Sequence, residues 1–510
     1  MTESDCPVRI CLADTTDFAE LYALQKRAYA TEAILYPYPI PPLTQRADEA
    51  VADCRLCLVL KAILPDGQII GSVRGRLDDQ GVCQISKLMV DPKWRCRRIG
   101  TMLLQAIEAR FPDLAYALFT GTRSLANIKL YERCGYRIVR VEREQELVYL
   151  RKTNEQTGEE TTIREGTTMP YDIYICACTP EGGLTRYRCT DTGQLSRLDH
   201  FAADRPMYAI RNGRMIYLLL CAPFAGSNES GALALNIRPD GSLEMMGEIQ
   251  PLGGVVACHL TLDAHARWLY TANYVDGSVT ELPILPDQSL GQASRMIRHS
   301  GRSVDPRRQT GPHAHCTVLS PDGRFLCVVD LGLDQIILYR LGAAGIDPIP
   351  ASVCACEPGL GPRHLLFAPD GQLAYCANEL RSSVTVLSYQ AGCLTPLETL
   401  STLPASFAGD SYCAAIRQST DGCFVYVSNR GHDSIACFAR EGRRLRLIAV
   451  TACGGSYPRD FDLTPDGRWL ICANEKGNQI TVLPADPVTG CLAAPVFAAH
   501  LEAPLGVTFT

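Results

Sequence analysis

Five stretches of this 510-residue chain carry one pattern: a turn, an apolar strand, a second turn and the start of a further strand. They are RWLYTANYVDGSV (267–279), PDGRFLCVVDLGLDQI (321–336), PDGQLAYCANELRSSV (369–384), TDGCFVYVSNRGHDSI (420–435) and PDGRWLICANEKGNQI (465–480), with a weaker unit, RNGRMIYLLL, at 211–220. Taking His265, Asp322, Asp370, Asp421 and Asp466 as equivalent anchors, the units are spaced by 57, 48, 51 and 45 residues. A repeat of this length cannot bury its own apolar face and must stack on its neighbours. Short strands joined by Asp-Gly turns at this spacing predict four-stranded propeller blades. Six anchors are visible, counting Asn212, and the segments YDIYICAC (171–178) and LGVTFT (505–510) are expected to close a seventh blade from both ends. Closure removes the edge strands that an open sheet would expose.

The repeat also separates scaffold from site. Eight residues past each anchor stands Asn or Asp (Asn273, Asp330, Asn378, Asn429, Asn474), a turn-forming position. One residue later the units diverge, with Tyr274, Leu331, Glu379, Arg430 and Glu475. Seven residues before the anchor they diverge again, with Cys258, His315, Arg363, Ala414 and Arg459. Both positions fall on the blade end opposite the Asp-Gly turn, so a mouth rimmed by unlike His, Arg and Glu residues predicts an asymmetric ligand.

The segments GPHAH (311–315), GPRHLLF (361–367), ANE (377–379), SNRGHDSI (428–435) and YPRDF (457–461) resemble, in order and spacing, the seven-bladed lactonase family. That family contains the propeller-type 6-phosphogluconolactonase and the fungal carboxymuconate-lactonizing enzyme. The resemblance implies catalytic roles for His313, Arg363, Glu379 and Arg430, with His315, His364, Asn429 and Arg459 as substrate contacts. Hydrolysis of a sugar lactone needs an oriented water, a base and charge stabilisation at the carbonyl oxygen. Glu379 or His313 can take the water's proton, while Arg363 and Arg430 can grip a phosphate or carboxylate or face the oxyanion. Ala414 and Ala415, at one strand entrance, depart from the polar pattern and predict an altered wall there. Two other readings use the same residues: lactone formation, and a non-catalytic module that presents a ligand or protein.

The first 152 residues have another texture, with strands and helices alternating: a strand at 7–13, a helix over 16–30 with Thr16 as N-cap, three strands at 56–63, 68–77 and 82–90, then helix, strand, helix and two closing strands. In VDPKWRCRRIGTMLLQAI (90–107) a strand ends and a basic turn leads into a helix at Gly100, an arrangement suited to a pyrophosphate. This segment resembles motif A of the GCN5-related N-acetyltransferases (GNAT), with Arg95 and Gly100 matching and Arg98 standing where a Gly is usual, a position where φ > 0 suits Arg poorly. SLANIKLYERCGY (124–136) resembles motif B through Asn127, Tyr131, Gly135 and Tyr136. The resemblance implies acetyl-CoA as acyl donor, held by Leu88, Met89, Val90, Arg95, Arg97, Arg98, Ile99, Gly100, Thr101 and Asn127, with Tyr131 protonating the departing thiolate. A base for the acceptor amine is Glu32 or a water relayed to a backbone carbonyl, since all nine His lie at or after position 200. The Pro/Tyr-rich segment 31–44 falls where acceptor loops lie.

The expected organisation is therefore multidomain: an α+β GNAT acyltransferase fold over 1–152, a polar linker over 153–168 and an all-β seven-bladed propeller over 169–510. The partners expected are small molecules, an amine acceptor and a sugar or carboxylic acid lactone, and no metal. A net charge of −6, with 22 Lys/Arg against 19 Asp/Glu in the first 152 residues, gives no basic tract for nucleic acid. No apolar run approaches the roughly 20 residues that span a bilayer, and the acidic start MTESDC does not read as a signal peptide, so a cytoplasmic protein without membrane partners is expected. The 24 Cys lie mostly in apolar runs, and Cys54-x-x-Cys57 has no second pair at zinc spacing; they are expected to serve as small buried hydrophobes.

Overall fold

The computed structural model describes residues 8–33, 36, 40–78, 81–95, 97–112, 114–142, 146–152, 171–221 and 228–509. The chain divides into two compact units, Met1–Glu165 and Gly166–Thr510. The expected linker, 153–168, lies outside the described residues.

The first unit is one sheet of seven strands: β1 (Arg9–Leu12), β2 (Leu58–Ile63), β3 (Ile69–Leu77), β4 (Val82–Val90), β5 (Ala115–Gly121), β6 (Arg137–Glu142) and β7 (Leu147–Lys152). Their order is β1-β2-β3-β4-β5-β7-β6. Alternation along the strands assigns two faces. Leu60, Ala62, Ile70 and Ile85 pack with Ile99, Leu103 and Ile107 of helix α4 (Ile99–Glu108) and with Tyr131 of α5 (Leu125–Arg133). Val59, Ile63, Ile69 and Met89 pack instead with Phe18, Leu21, Leu24 and Ala28 of α1 (Phe18–Ala33) and with Cys54 of α3 (Ala47–Arg55). The only parallel pair in the sheet, β4 with β5, joins through Val82–Ala115, Cys83–Tyr116 and Gln84–Ala117 and pairs no further.

Two details differ from expectation. Asp14, not Thr16, caps the start of α1's leading turn, its carboxylate accepting from Thr16 N at 2.8 Å. Helix α3 was not anticipated: its boundaries are set by backbone reciprocity with Glu49, which accepts from Arg46 N at 3.0 Å, rather than by a Ser or Thr cap.

The second unit is seven four-stranded antiparallel sheets, blades 1 to 7 in chain order: 171–202 with the terminal strand, 206–251, 257–298, 314–355, 362–401, 412–452 and 458–500. The terminal strand Pro504–Phe509 pairs with Tyr171–Ala177, so the chain end supplies the inner strand of the first blade, as the sequence predicts. Each anchor turn closes with an i to i+3 backbone bond followed by a left-handed residue: Gly323, Gly371, Gly422 and Gly467 have φ of 66°, 67°, 68° and 70°. The anchor Asp makes the turn itself, since the carboxylates of Asp370, Asp421 and Asp466 each accept a backbone N–H two residues on, at 2.9, 3.0 and 3.0 Å. In blade 3 His265 cannot do this, and Asp263 accepts from Arg267 N and Trp268 N instead.

In four blades an Asn near the end of the second strand (Asn273, Asn378, Asn429, Asn474) is wholly buried and ties the next hairpin. Asn273 donates to Ser278 Oγ and Thr280 Oγ1 at 2.9 and 3.0 Å; Asn378 donates to Ser383 and Thr385 at 3.0 and 2.9 Å. Four residues beyond this Asn or Asp the backbone is left-handed in every unit, at Gly277, Asp334, Ser382, Asp433 and Asn478. Of the 22 Cys described, 14 are buried, 13 lie inside strands and all are free thiols. Among the described residues no helix is long and apolar enough to cross a membrane, and no group of three His, Cys, Asp or Glu is placed to hold a metal ion.

Blade 3 has Ala266 at the anchor turn's left-handed position, with φ 49°. A Cβ there costs about 1 kcal/mol, so Ala266→Gly is expected to stabilise the propeller by about that much, raising the urea midpoint of its transition without changing the slope. An unchanged or lower midpoint would contradict the strain assigned to this turn.

Candidate functional site

The inner strands of the propeller do not pair evenly with their neighbours. In blade 5 Pro362 faces Asn378 and His364 faces Ala377, leaving Arg363 as an extra residue. The same interruption leaves out Cys258 in blade 3, His315 in blade 4 and Arg459 in blade 7. These are β-bulges, which bend a strand and re-aim a side chain. The four divergent residues seven before each anchor are thus the bulged ones. Beside them, the residue after the buried Asn or Asp is fastened to the inner strand's approach: Glu379 N donates to Gly361 O at 2.7 Å, Tyr274 N to Val256 O at 2.9 Å and Glu475 N to Tyr457 O at 3.0 Å.

These two positions line a cavity of about 400 Å³ at the mouth of the propeller. Cys258, His315 and Arg459 come from the bulges, and Tyr274, Glu379 and Arg430 from the ends of the second strands. Val256, Arg308, Tyr412 and Tyr457 complete the lining.

Glu379 is the electrostatic centre. Its Oε1 meets Arg308 Nη2 at 2.5 Å, and its Oε2 meets Arg363 Nε at 3.0 Å and Arg430 Nη2 at 2.7 Å. The side chains of Glu379, Arg363 and Arg430 are 5%, 3% and 5% exposed. Burial alone would raise the Glu379 carboxyl, but Arg430 and Arg363, helped by His315 and Arg308, outweigh it and hold the group well below the usual carboxylate range. A carboxylate so engaged is a poor proton acceptor; its role is to orient guanidiniums. Burial, with Arg430 and Arg459 close by, lowers Arg363 to about 10, so it stays charged at neutral pH. With Arg459 paired to Glu475 at 3.4 Å, four guanidiniums meet two carboxylates and the mouth carries net positive charge.

The other expected residues divide. His315 lines the cavity and is neutral: burial and Arg363 hold it well below 6.5, and its Nδ1 lies 3.7 Å from Cys258 Sγ. His313 stacks on Tyr274 at 4.6 Å, outside the lining, and its Nδ1 must donate to Tyr274 O at 2.9 Å, which leaves Nε2 as the basic nitrogen. Arg363 stands behind Glu379 and contacts His364 Nε2 at 3.1 Å. His364 belongs to the channel interior, its ring 5.3 Å from those of both His259 and His315. Asn429 is fully buried, and its amide is used by Thr402 O, Thr402 Oγ1 and Ser434 Oγ, which makes it scaffold rather than a cavity residue. At Ala414 the wall does differ: the interruption of blade 6 falls at the same place but leaves out the apolar Ala414 and Ala415, and the cavity is lined instead by Tyr412, whose carbonyl accepts from Arg430 Nε at 3.4 Å.

Arg308 and Tyr412 were not anticipated. Arg308 comes from the long insertion before blade 4, where Asp305 accepts from the backbone of Arg307 and Arg308 and the buried Gln309 bonds Leu331 O. It lies outside the repeat's register, so comparison of units could not find it.

In the first unit the basic turn is ordered around Trp94 and Asp91. Asp91 caps the turn through Lys93 N at 3.1 Å and pairs with Arg27 at 2.9 Å; Arg97 lies 4.6 Å from the Trp94 ring centre. Arg98 is the N-cap of α4 with φ 60° and ψ 8°, the left-handed backbone that a Gly would take more easily. Arg95 Nη2 donates to Ala28 O at 2.7 Å. A Cβ on Gly100 would lie 3.2 Å from Leu130, so the helix start is closely packed. The exposed N–H end of α4 and three Arg beside it fit a pyrophosphate. Leu88, Met89 and Val90 end β4 next to this turn, and Ile99 and Thr101 begin the helix. Tyr131 and Asn127 share one face of α5; Asn127 Nδ2 donates to Glu32 Oε2 at 3.2 Å, and Ser124 Oγ donates to Glu32 Oε1. Burial, with Tyr29 and Glu32 nearby, pushes the Tyr131 phenol above its usual range and keeps it protonated.

Residues 172–509 match the lactonase family, 7-bladed β-propeller, and residues 18–136 match the acetyltransferase (GNAT) family. Uncharacterized proteins of Staphylococcus aureus and Staphylococcus epidermidis are 32% and 31% identical over 327 and 319 residues, covering 62% and 61% of this chain and 93% and 91% of theirs. Among solved structures, the periplasmic gluconolactonase of Pseudomonas aeruginosa is similar at 29% identity and TM-score 0.62, covering 67% of this chain and 99% of that one. A Bacteroides fragilis protein provisionally described as a 6-phosphogluconolactonase is 28% identical at TM-score 0.62, covering 68% and 100%.

The channel histidines make the propeller acid-labile. Burial, followed by the charge of Arg363 or Arg417, lowers His259 to about 3 and His315 and His364 well below 6.5. Between the folded and unfolded values the unfolded chain binds protons that the folded chain does not, so stability is present above about pH 6.5 and falls as pH drops. Each histidine contributes a slope of about 1.4 kcal/mol per pH unit. Asp462, 32% exposed and raised to about 6 by burial, opposes only one of the three. Urea unfolding at pH 7 and pH 5 should show the loss, and His259→Gln should flatten it; equal stability at both pH values would refute it.

Proposed function

The chain belongs to the seven-bladed β-propeller lactonase family and carries a GNAT domain ahead of its propeller, and from this we propose a bifunctional enzyme: an acetyl-CoA-dependent N-acetyltransferase joined to a hydrolase of anionic sugar lactones. The observation that carries the second activity is the buried Glu379 gripped by Arg308, Arg363 and Arg430. It fixes the guanidiniums before substrate arrives, so little reorganisation is needed when charge develops on the lactone carbonyl. Arg308, 36% exposed, and Arg459, 24% exposed, are the cations most open to a substrate phosphate or carboxylate. Arg430 and the bulged Arg363 stabilise the oxyanion, directly or through the cluster. His315, uncharged and in the lining, positions the attacking water, and His313, through Nε2, takes its proton in place of Glu379.

In the first unit, Glu32 accepts the proton of the acceptor amine and Tyr131 returns one to the departing thiolate. When bound, acetyl-CoA supplies the acetyl thioester; the α4 turn and its Arg residues hold the phosphates.

Purified full chain should consume 6-phosphoglucono-δ-lactone faster than the spontaneous rate, and faster than the unphosphorylated lactone. Arg363→Ala and Glu379→Ala should each abolish the excess, and His313→Gln should lower kcat by about 10²-fold. Unchanged rates in the Arg363 and Glu379 variants would overturn the site, whereas tight binding of anionic sugars without turnover would favour a ligand-presenting module. For the other unit, Tyr131→Phe should lower kcat for thiol release by about 10²-fold with the KM for acetyl-CoA little changed.

A further inference from the structure

The acceptor side of the first unit holds a second concentration of positive charge that the acetyl donor does not use. Arg74, on β3, is buried with its side chain 3% exposed. Its ion pair with Asp53 is long, at 3.9 Å, the Asp53 side chain is 49% exposed, and Arg74 Nε is buried with no hydrogen-bond partner. Lys87, at the left-handed position φ 49° within β4, pairs with no carboxylate among the described residues; its Nζ is 3.5 Å from Gln45 Oε1 and 5.5 Å from the centre of the Tyr29 ring. Asp53 is further shared with Gln45, which donates to it at 2.7 Å. The charges acting on Lys87 are those of Arg74, Asp53 and Lys26, so three cations share one half-exposed carboxylate. Burial and the Arg74 charge bring Lys87 down to about 8, as expected of cations crowded without a matching anion.

This cluster adjoins the reacting groups. Arg74 faces Ser86 in the β3–β4 ladder, next to Lys87, and Lys87 Nζ lies 5.5 Å from the ring of Tyr29, which stands one turn before Glu32 on α1. Glu32 in turn accepts from Asn127 on the α5 face that carries Tyr131, so an amine placed at Glu32 would have both Tyr131 and the Arg74–Lys87 cluster in its surroundings. A buried guanidinium with an idle N–H is costly unless an anion completes it.

We propose that the acetyl acceptor is a small primary amine bearing its own anionic group, a carboxylate or a phosphate, which seats on Arg74 and Lys87. This rests on the acetyltransferase reading above. The amine nitrogen forms the C–N bond to the acetyl carbon as the C–S bond of the acetyl thioester breaks. The amine proton passes to Glu32, and the thiolate takes a proton from Tyr131.

The test uses the full chain, acetyl-CoA and matched amines: α-amino acids with their amides, amino-sugar phosphates with their unphosphorylated forms, and polyamines. Anionic members should exceed their neutral counterparts in kcat/KM by at least about tenfold; which series responds separates carboxylate from phosphate. Arg74→Gln and Lys87→Gln should each shrink that preference mainly through KM, with Arg74→Lys restoring part of it, in variants whose thermal unfolding matches the parent. Calorimetric binding of the same amines to the chain without acetyl-CoA is measured in parallel. Acetylation that favours neutral amines or polyamines would overturn the anion site while leaving the acetyltransferase standing. Binding of anionic amines that depends on Arg74, without acetylation, would keep the site and overturn the acetyltransferase reading. Neither binding nor turnover would overturn both.

Discussion

The propeller is organised by a buried amide or carboxylate at the end of the second strand in five of its seven blades. Asn273, Asn378, Asn429 and Asn474 are removed from water, so each must find partners inside the protein. They find them in the hydroxyls of the next hairpin or in a neighbouring carbonyl, such as Ser278 and Thr280 for Asn273 and Thr402 O for Asn429. Asp330 does the same with backbone donors, His313 N and Leu333 N. That bond fixes where the second strand stops and where the third begins. Across from this position the inner strand carries its bulge, in blades 3, 4, 5 and 7 beside the residue that pairs with the Asn or Asp. The polar scaffold therefore determines which residue of each inner strand is turned toward the mouth, and the chemistry is chosen by what stands there.

What stands there is an excess of guanidinium around one carboxylate. Burying such a cluster is a weak route to stability, because desolvation offsets the Coulombic gain. Its effect is positional: Glu379 couples Arg363 from a bulge, Arg430 from a neighbouring blade and Arg308 from an insertion. The same coupling keeps Glu379 ionised and occupied by guanidiniums, and burial keeps the neighbouring imidazole of His315 neutral. A cavity with fixed cations, a neutral imidazole and several tyrosine walls is matched to an anionic, polar, ring-shaped ligand.

Much of this was legible because repetition exposes departures from itself. The blade count, the closing strand and the rim positions came from spacing alone, and Glu379, Arg430, His315 and Arg459 fell on them. Asn429 shows the limit: it belongs to the resembling motif, but its equivalents in three other blades are structural, and its own hydrogen bonds follow theirs. Arg308 and Tyr412 were illegible for different reasons, one lying in an insertion with no equivalent and the other standing two residues before the rim position, which in blade 6 holds Ala414 and supplies no polar side chain. In the first unit, β4, α4 and α5 were readable from periodicity. Helix α3 was not, since it is short and its cap is an Arg backbone served by Glu49.

Backbone strain marks the same places independently. Most of the non-glycine residues with positive φ sit in hairpin turns and are small or polar, as at Asp334, Ser382, Asp433 and Asn478. Val256 and Tyr457, at φ 57° and 65°, are not: a β-branched and a bulky residue tolerate this region worst, and both line the propeller cavity. In the first unit the long cationic side chains in that region are Lys87 and Arg98, one within β4 and the other at the start of α4. Such conformations persist only where surrounding structure imposes them. Val256 and Tyr457 are imposed by the backbone bonds that Tyr274 and Glu475 make to their carbonyls, and Arg98 by the start of a tightly packed helix. A glycine would relax each site and lose the side chain that the site needs, so the strain is the consequence of requiring a particular charge or ring at a backbone position shaped for none.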